Sequence, residues 1–282
     1  MSDEKAAARS KRPSLVFSAG GTRLSVPATA VLEVAEGGLL PGSVHNGLPV
    51  EPLAAVLGLP PDAPGGVTLV LDSAPPRAFY VGRVEEVADL ASATHLNLPS
   101  GAETRAAHLL RGAVLLGERV VLELAPEPLA EFTTLPPAAP PPPPGEGRWD
   151  GPPPARALVF TTAGGRLLGV SLQVVIKILA APQLCRLPYP RHGLAGILAH
   201  ERTLLPVFDP AELLSGAPAG GAFAIAIDAG GIALGALAHE VKGVVSGFSE
   251  GSRPVPGGVE FDAPDGSAVL FPDVERWSGT GR

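Results

Sequence analysis

The chain has 282 residues, 45% hydrophobic and 17% charged, a length that suits two domains, each with a modest core of its own. Its 35 Gly and 33 Pro are too many for a helical bundle, so the composition points to a folded, soluble all-β chain of short strands and many turns. A net charge of -7, with four lysines among 21 basic residues, argues against a nucleic-acid partner.

In chain order, residues 1–13 read as a disordered tail, charged and polar, without the apolar core that a secretory signal requires. Residues 14–129 and 156–277 read as two domains, separated by a Pro-rich linker over residues 130–155. That linker holds ten prolines, including the run Pro140 to Pro144. A segment so poor in backbone donors can neither join a sheet nor continue a helix. In polyproline II form, rising about 3.1 Å per residue, it would hold two domains several tens of ångströms apart. Trp149 is the linker residue most able to dock. Cys185 is the single cysteine, which excludes an internal disulfide and fits a small core hydrophobe in a reducing, cytoplasmic compartment. The longest apolar stretch, Ala222 to Ala238, is broken by Asp228, Gly230 and Gly231, and reads as two strands and a turn rather than a membrane span.

The two flanking segments repeat each other. Leu15-Val16-Phe17, Gly20-Gly21, Leu24, Val26, Val31 and Val34 are echoed by Leu158-Val159-Phe160, Gly164-Gly165, Leu168, Val170, Val175 and Ile178: a strand, a glycine turn and a second strand. Leu48-Pro49-Val50 with Leu53 and Leu57-Gly58 is echoed by Leu205-Pro206-Val207 with Leu213-Leu214 and Gly216, a strand that runs into a helical turn. Buried-type strands follow, Val67 to Leu71 before Asp72 and Ala222 to Ile227 before Asp228, and the strands after them close on Glu86-Val87 and Glu240-Val241. Gly117 to Leu124 and Gly266 to Phe271 complete the match.

This pattern resembles the CheW-like domain of bacterial chemotaxis and related sensory pathways. The second copy carries the resemblance best, with Gly196-Ile197-Leu198 and Thr203-Leu204-Leu205-Pro206-Val207-Phe208-Asp209 in the expected places. The first copy is shortened between Val34 and Leu48. The resemblance implies two modules, each a pair of five-stranded SH3-like β-barrels, and a non-enzymatic adaptor coupling chemoreceptor-like proteins to a histidine kinase of the CheA type. It implies no cofactor. Partner contacts are expected at Tyr189, Leu194, Ala199, His200, Glu201, Arg202, Thr203, Pro206 and Glu240. Where the family usually reads N-L-R-G, this chain reads Ala199-His200-Glu201-Arg202, an inverted charge that suits a changed partner. An accessory scaffold binding a different signalling protein through that loop is therefore a second reading.

A third reading comes from Gly247-Phe248-Ser249-Glu250-Gly251, which matches the G-x-S-x-G elbow of serine hydrolases. The elbow needs a helix after it, and Arg253-Pro254-Val255-Pro256-Gly257-Gly258 follows instead. The six histidines are scattered singly, without the spacing of a zinc helix, and no phosphate-binding glycine loop is present, so neither a metal nor a nucleotide is expected.

Overall fold

A computed structural model describes residues 13–36, 40–136, 145–147, 149 and 151–277. The expected tail, apart from Pro13, and the run Pro140 to Pro144 lie outside those residues. Two compact units are present. The first takes its described residues from 1–98, 104–137 and 185–189, and the second from 99–103, 138–184 and 190–282. Each unit thus includes a short piece from the far side of the Pro-rich segment.

The first unit contains β1 (Pro13–Ala19), β2 (Thr22–Pro27), β3 (Val31–Ala35), β4 (Val44–His45), β5 (Leu48–Pro52), α1 (Leu53–Val56), β6 (Val67–Leu71), β7 (Arg77–Val81), β8 (Arg83–Asp89), β9 (Thr94–Leu96), β10 (Leu110–Leu116), β11 (Arg119–Leu124) and α2 (Pro126–Glu131). The second contains β12 (Arg156–Thr161), β13 (Leu167–Ser171), β14 (Val175–Ala180), β15 (Leu194–His200), β16 (Thr203–Phe208), α3 (Pro210–Ser215), β17 (Phe223–Ala229), β18 (Ile232–Ala238), β19 (Glu240–Ser246), β20 (Ser252–Val255), β21 (Gly258–Asp262), β22 (Ala268–Pro272) and α4 (Val274–Trp277).

The repeat is complete at the level of topology. One sheet runs β8-β1-β2-β11-β10-β9 and its counterpart β19-β12-β13-β22-β21-β20; the other runs β3-β6-β7-β5-β4 and its counterpart β14-β17-β18-β16-β15. Every strand of the second unit bears the number of its counterpart plus eleven. Each module therefore carries a six-stranded and a five-stranded sheet. Bulges coincide as well, between Val16 and Phe17 and between Val159 and Phe160, then between Val31 and Glu33 and between Val175 and Lys177. A bulge inserts one residue and bends its strand, so shared bulges mean shared curvature.

Burial follows from these positions. β1 and β12 are interior strands, which explains why their LVF runs are apolar without alternation; Phe17 and Phe160 are both fully buried. β19 is an edge strand and alternates between exposed and half-buried residues along its length. Each sheet has its own cluster: Val16, Leu90, Val114 and Val121; Val50, Val70, Ala78 and Tyr80; Val159, Phe248, Phe261 and Phe271; Leu198, Leu205, Val207 and Leu237.

One sequence equivalence needs correcting. Val84 lies opposite Phe17 and Val241 opposite Phe160, so the counterpart of Glu240 is Arg83, not Glu86. The recurring Glu-Val pair misled because register is set by the bulge and the buried phenylalanines, not by an exposed dipeptide.

Both described ends of the Pro-rich segment make contacts within their own unit. Phe132 is buried, and the Arg77 guanidinium donates to the carbonyls of Leu129, Ala130 and Phe132 while pairing with Glu51 at 2.8 Å. At its other end, Glu146 bridges Pro256, Gly147 N donates to Val255 O at 3.0 Å, and Gly257 N donates to Gly145 O at 3.0 Å. Residues 145–147 thus lie against the β20–β21 hairpin. Trp149 packs edge-on against Phe261 and Phe271, and its Nε1 donates to Pro152 O at 2.9 Å. Gly147 is required there, since any β-carbon would collide with the Gly258 backbone.

Candidate protein-interaction site

The β15–β16 hairpin carries the expected loop. His200 pairs with Thr203 across it, leaving a two-residue turn of Glu201 and Arg202. Both residues have positive φ, 48° and 64°. That is the mirror-image turn that suits the twist of an antiparallel pair and favours Asn-Gly. The first module uses Asn-Gly at the same place: Asn46 and Gly47, at 52° and 81°, join His45 to Leu48. Glu201 and Arg202 instead carry β-carbons in a left-handed conformation, which costs about 1–2 kcal/mol per residue. Glu201 projects with a side chain 79% exposed, whereas the His200 side chain is only 14% exposed and lies 3.8 Å from the Glu201 carboxylate. Thr203 is exposed and its hydroxyl donates to His200 O at 2.7 Å, which closes the turn.

The other expected contact residues divide by burial. Glu201, Arg202, Thr203 and Glu240 are exposed, and Ala199 and His200 are half-buried. Leu194 and Pro206 are buried strand residues. Tyr189, expected as an exposed anchor, is half-buried in the first unit. Its hydroxyl donates to Val56 O and accepts from Leu135 N, each at 3.1 Å, and its ring lies 6.0 Å from that of Phe132. The Thr104 hydroxyl donates to Pro188 O, and Arg105 N to Tyr189 O. Gly58, with φ of +64°, is needed because a β-carbon would meet the Tyr189 ring. The Tyr189 hydroxyl is thus satisfied on both sides within the first unit.

Asp209, the acidic end of the P-V-x-D pattern, is structural too. It is 3% exposed, caps α3 by accepting from Ala211 N, and accepts from Ala219 N and Gly220 N with its other oxygen, each at 2.8 Å. This carboxylate fixes the loop after α3. Arg191, just before β15, lies 4.8 Å over the Phe208 ring; burial pushes its pKa below the ordinary arginine value, and Glu103 at 3.6 Å works against that. Cys185 is buried, and desolvation pushes its thiol up to about 12, against the opposing pull of Arg23. That thiol is no nucleophile near neutral pH.

Ser249 lacks the setting of a catalytic elbow. Its hydroxyl donates to Gly251 O and accepts from Asp262 N, both at 3.2 Å, and strand β20 follows where a helix would be needed. Asp228 is a turn residue, accepting from Gly231 N at 2.6 Å. Among the described residues no His, Cys, Asp or Glu group is arranged to hold a metal, and no helix is long and apolar enough to cross a membrane.

Sequence reasoning missed one surface feature. Both modules expose large apolar side chains at matching positions: Leu32 and Val34 on β3 with Val87 on β8, and Ile176 and Ile178 on β14 with Val244 on β19. Apolar residues two apart on a strand ordinarily signal an inward face, so alternation alone does not reveal that these are exposed.

A family model for the CheW-like domain matches residues 156–276. A crystal structure of the scaffolding protein TtCheW from Thermoanaerobacter tengcongensis is similar over 43% of this chain and 94% of that one, at 15% identity and a TM-score of 0.36. No curated protein matches the chain. Residues 156–276 of this chain match the CheW-like domain, and the module before them repeats their strand order.

Proposed function

We propose that the chain is a non-enzymatic signalling adaptor that couples chemoreceptor-like proteins to a CheA-type histidine kinase in the cytoplasm. The carrying observation is the hairpin tip of the CheW-like domain, where two charged, exposed residues hold a left-handed turn that the first module fills with Asn-Gly. Strain kept at an exposed tip is a reason to look for function there. The tip also lies where the resembling family contacts partners. Its inverted charge favours a partner other than a conventional receptor tip, since like charges placed together at an interface cost several kcal/mol.

Calorimetry tests this with the full chain, wild type and Glu201→Arg/Arg202→Gly side by side, against a CheA-type kinase and a conventional receptor tip. The double substitution should strengthen receptor-tip binding by roughly fivefold or more, about 1 kcal/mol. Kinase binding with an unchanged receptor response would move the receptor contact elsewhere on the domain. Failure to bind either protein in both forms would refute the adaptor reading and leave the accessory scaffold.

A further inference from the structure

β3 and β14 are equivalent edge strands, each paired on one side only, with β6 and β17. Each presents two large apolar side chains to solvent to nearly the same degree: Leu32 at 55% and Val34 at 39%, Ile176 at 51% and Ile178 at 40%. Exposed apolar edge strands promote association unless charge or cover protects them. The residue between them differs in sign. Glu33 follows the bulge in β3, and Lys177 follows the matching bulge in β14. The Glu33 carboxylate accepts from Asn46 Nδ2 at 3.1 Å and lies 3.0 Å from His45 Nε2, yet its side chain remains 43% exposed. Lys177 is exposed, and among the described residues its ammonium has no partner. The same apolar pair thus brackets an anion in one module and a cation in the other.

From this we infer a self-association surface: Leu32-Glu33-Val34 of one copy docks on Ile176-Lys177-Ile178 of a second copy of this chain. Two identical stripes would set like charges face to face, so pairing joins unlike modules and opposes like ones. Two such contacts made reciprocally close a dimer, and single contacts made in succession build a chain of copies. The contact uses strands β3 and β14 rather than the Glu201–Arg202 turn, and its failure would leave the adaptor reading untouched.

Sedimentation velocity of the full chain between roughly 1 and 100 µM should show concentration-dependent association that weakens with added salt. Glu33→Lys and Lys177→Glu should each weaken it about tenfold or more, because each sets like charges face to face. An equimolar mixture of the two variants should restore association, because each then offers the other an opposite charge. Ile176→Ser is a second probe that leaves the Glu33 hydrogen bonds intact, and it should weaken association as well. A monomeric wild type across that range, association indifferent to Lys177→Glu and Ile176→Ser, or a mixture that stays monomeric would each overturn the inference.

Discussion

Glu201 and Arg202 occupy backbone that the first module gives to Asn46 and Gly47, so the chain carries its own control for the cost of that turn. Grafting Asn-Gly into the second hairpin should raise stability by about 1–2 kcal/mol, because glycine pays no steric penalty there and asparagine little. Denaturant unfolding of the full chain measures it. A destabilised graft would mean that the charged pair makes favourable contacts in the free protein and that the tip is not strained. The sequence located this loop through its place between Gly196 and Pro206. It did not reveal that two-residue pairing forces both residues left-handed, since that depends on His200 facing Thr203 across the hairpin. The same limit applies to Leu194 and Pro206, which are buried, and to Tyr189, which is half-buried: burial depends on neighbours that residue type does not record.

Among the elements, residues 145–147 and 149 show how a linker end can pack against a sheet. Gly147 lets the chain approach Gly258 closely, and Trp149 lays its ring against Phe261 and Phe271 within the cluster that also holds Phe248. Ring pairs of this kind contribute about 0.5–1.5 kcal/mol beyond the area they bury. Trp149→Ala should therefore cost the second module about 2–3 kcal/mol, below the range for a fully buried tryptophan, and Trp149→Phe should recover part of it. Thermal unfolding monitored by near-ultraviolet circular dichroism reads both, and an unchanged transition in Trp149→Ala would show that the segment does not dock in solution. The equivalent six-stranded sheet of the first module lacks this cradle: register through Leu24 and Leu168 places Glu123, which lies 3.2 Å from His95, where the second module has Phe271.

For the whole molecule, the shared strand order predicts that residues 145–277 expressed alone will unfold cooperatively. Residues 13–136 alone should be less stable than the corresponding transition of the full chain. They lack Cys185–Tyr189, and with it the Tyr189 ring beside Phe132 and both bonds of its hydroxyl. Differential scanning calorimetry separates these outcomes. A second fragment without a cooperative transition would refute independent modules, and a first fragment as stable as in the full chain would show that the 185–189 segment contributes nothing.

The sequence by itself determined the strand-rich class, the duplication and the family resemblance of the second half. All three are carried by local signals: LVF runs in interior strands, glycine turns and the P-V-x-D pattern survive because each position answers to its own backbone or core. Only the tertiary structure decided the division of the chain into units, the docking of Trp149, the true counterpart of Glu240 and the exposure of Leu32, Val34, Ile176 and Ile178. Those depend on which strand lies at a sheet edge and which surface a neighbour covers, and such pairings join residues far apart in the chain that no short-range pattern records.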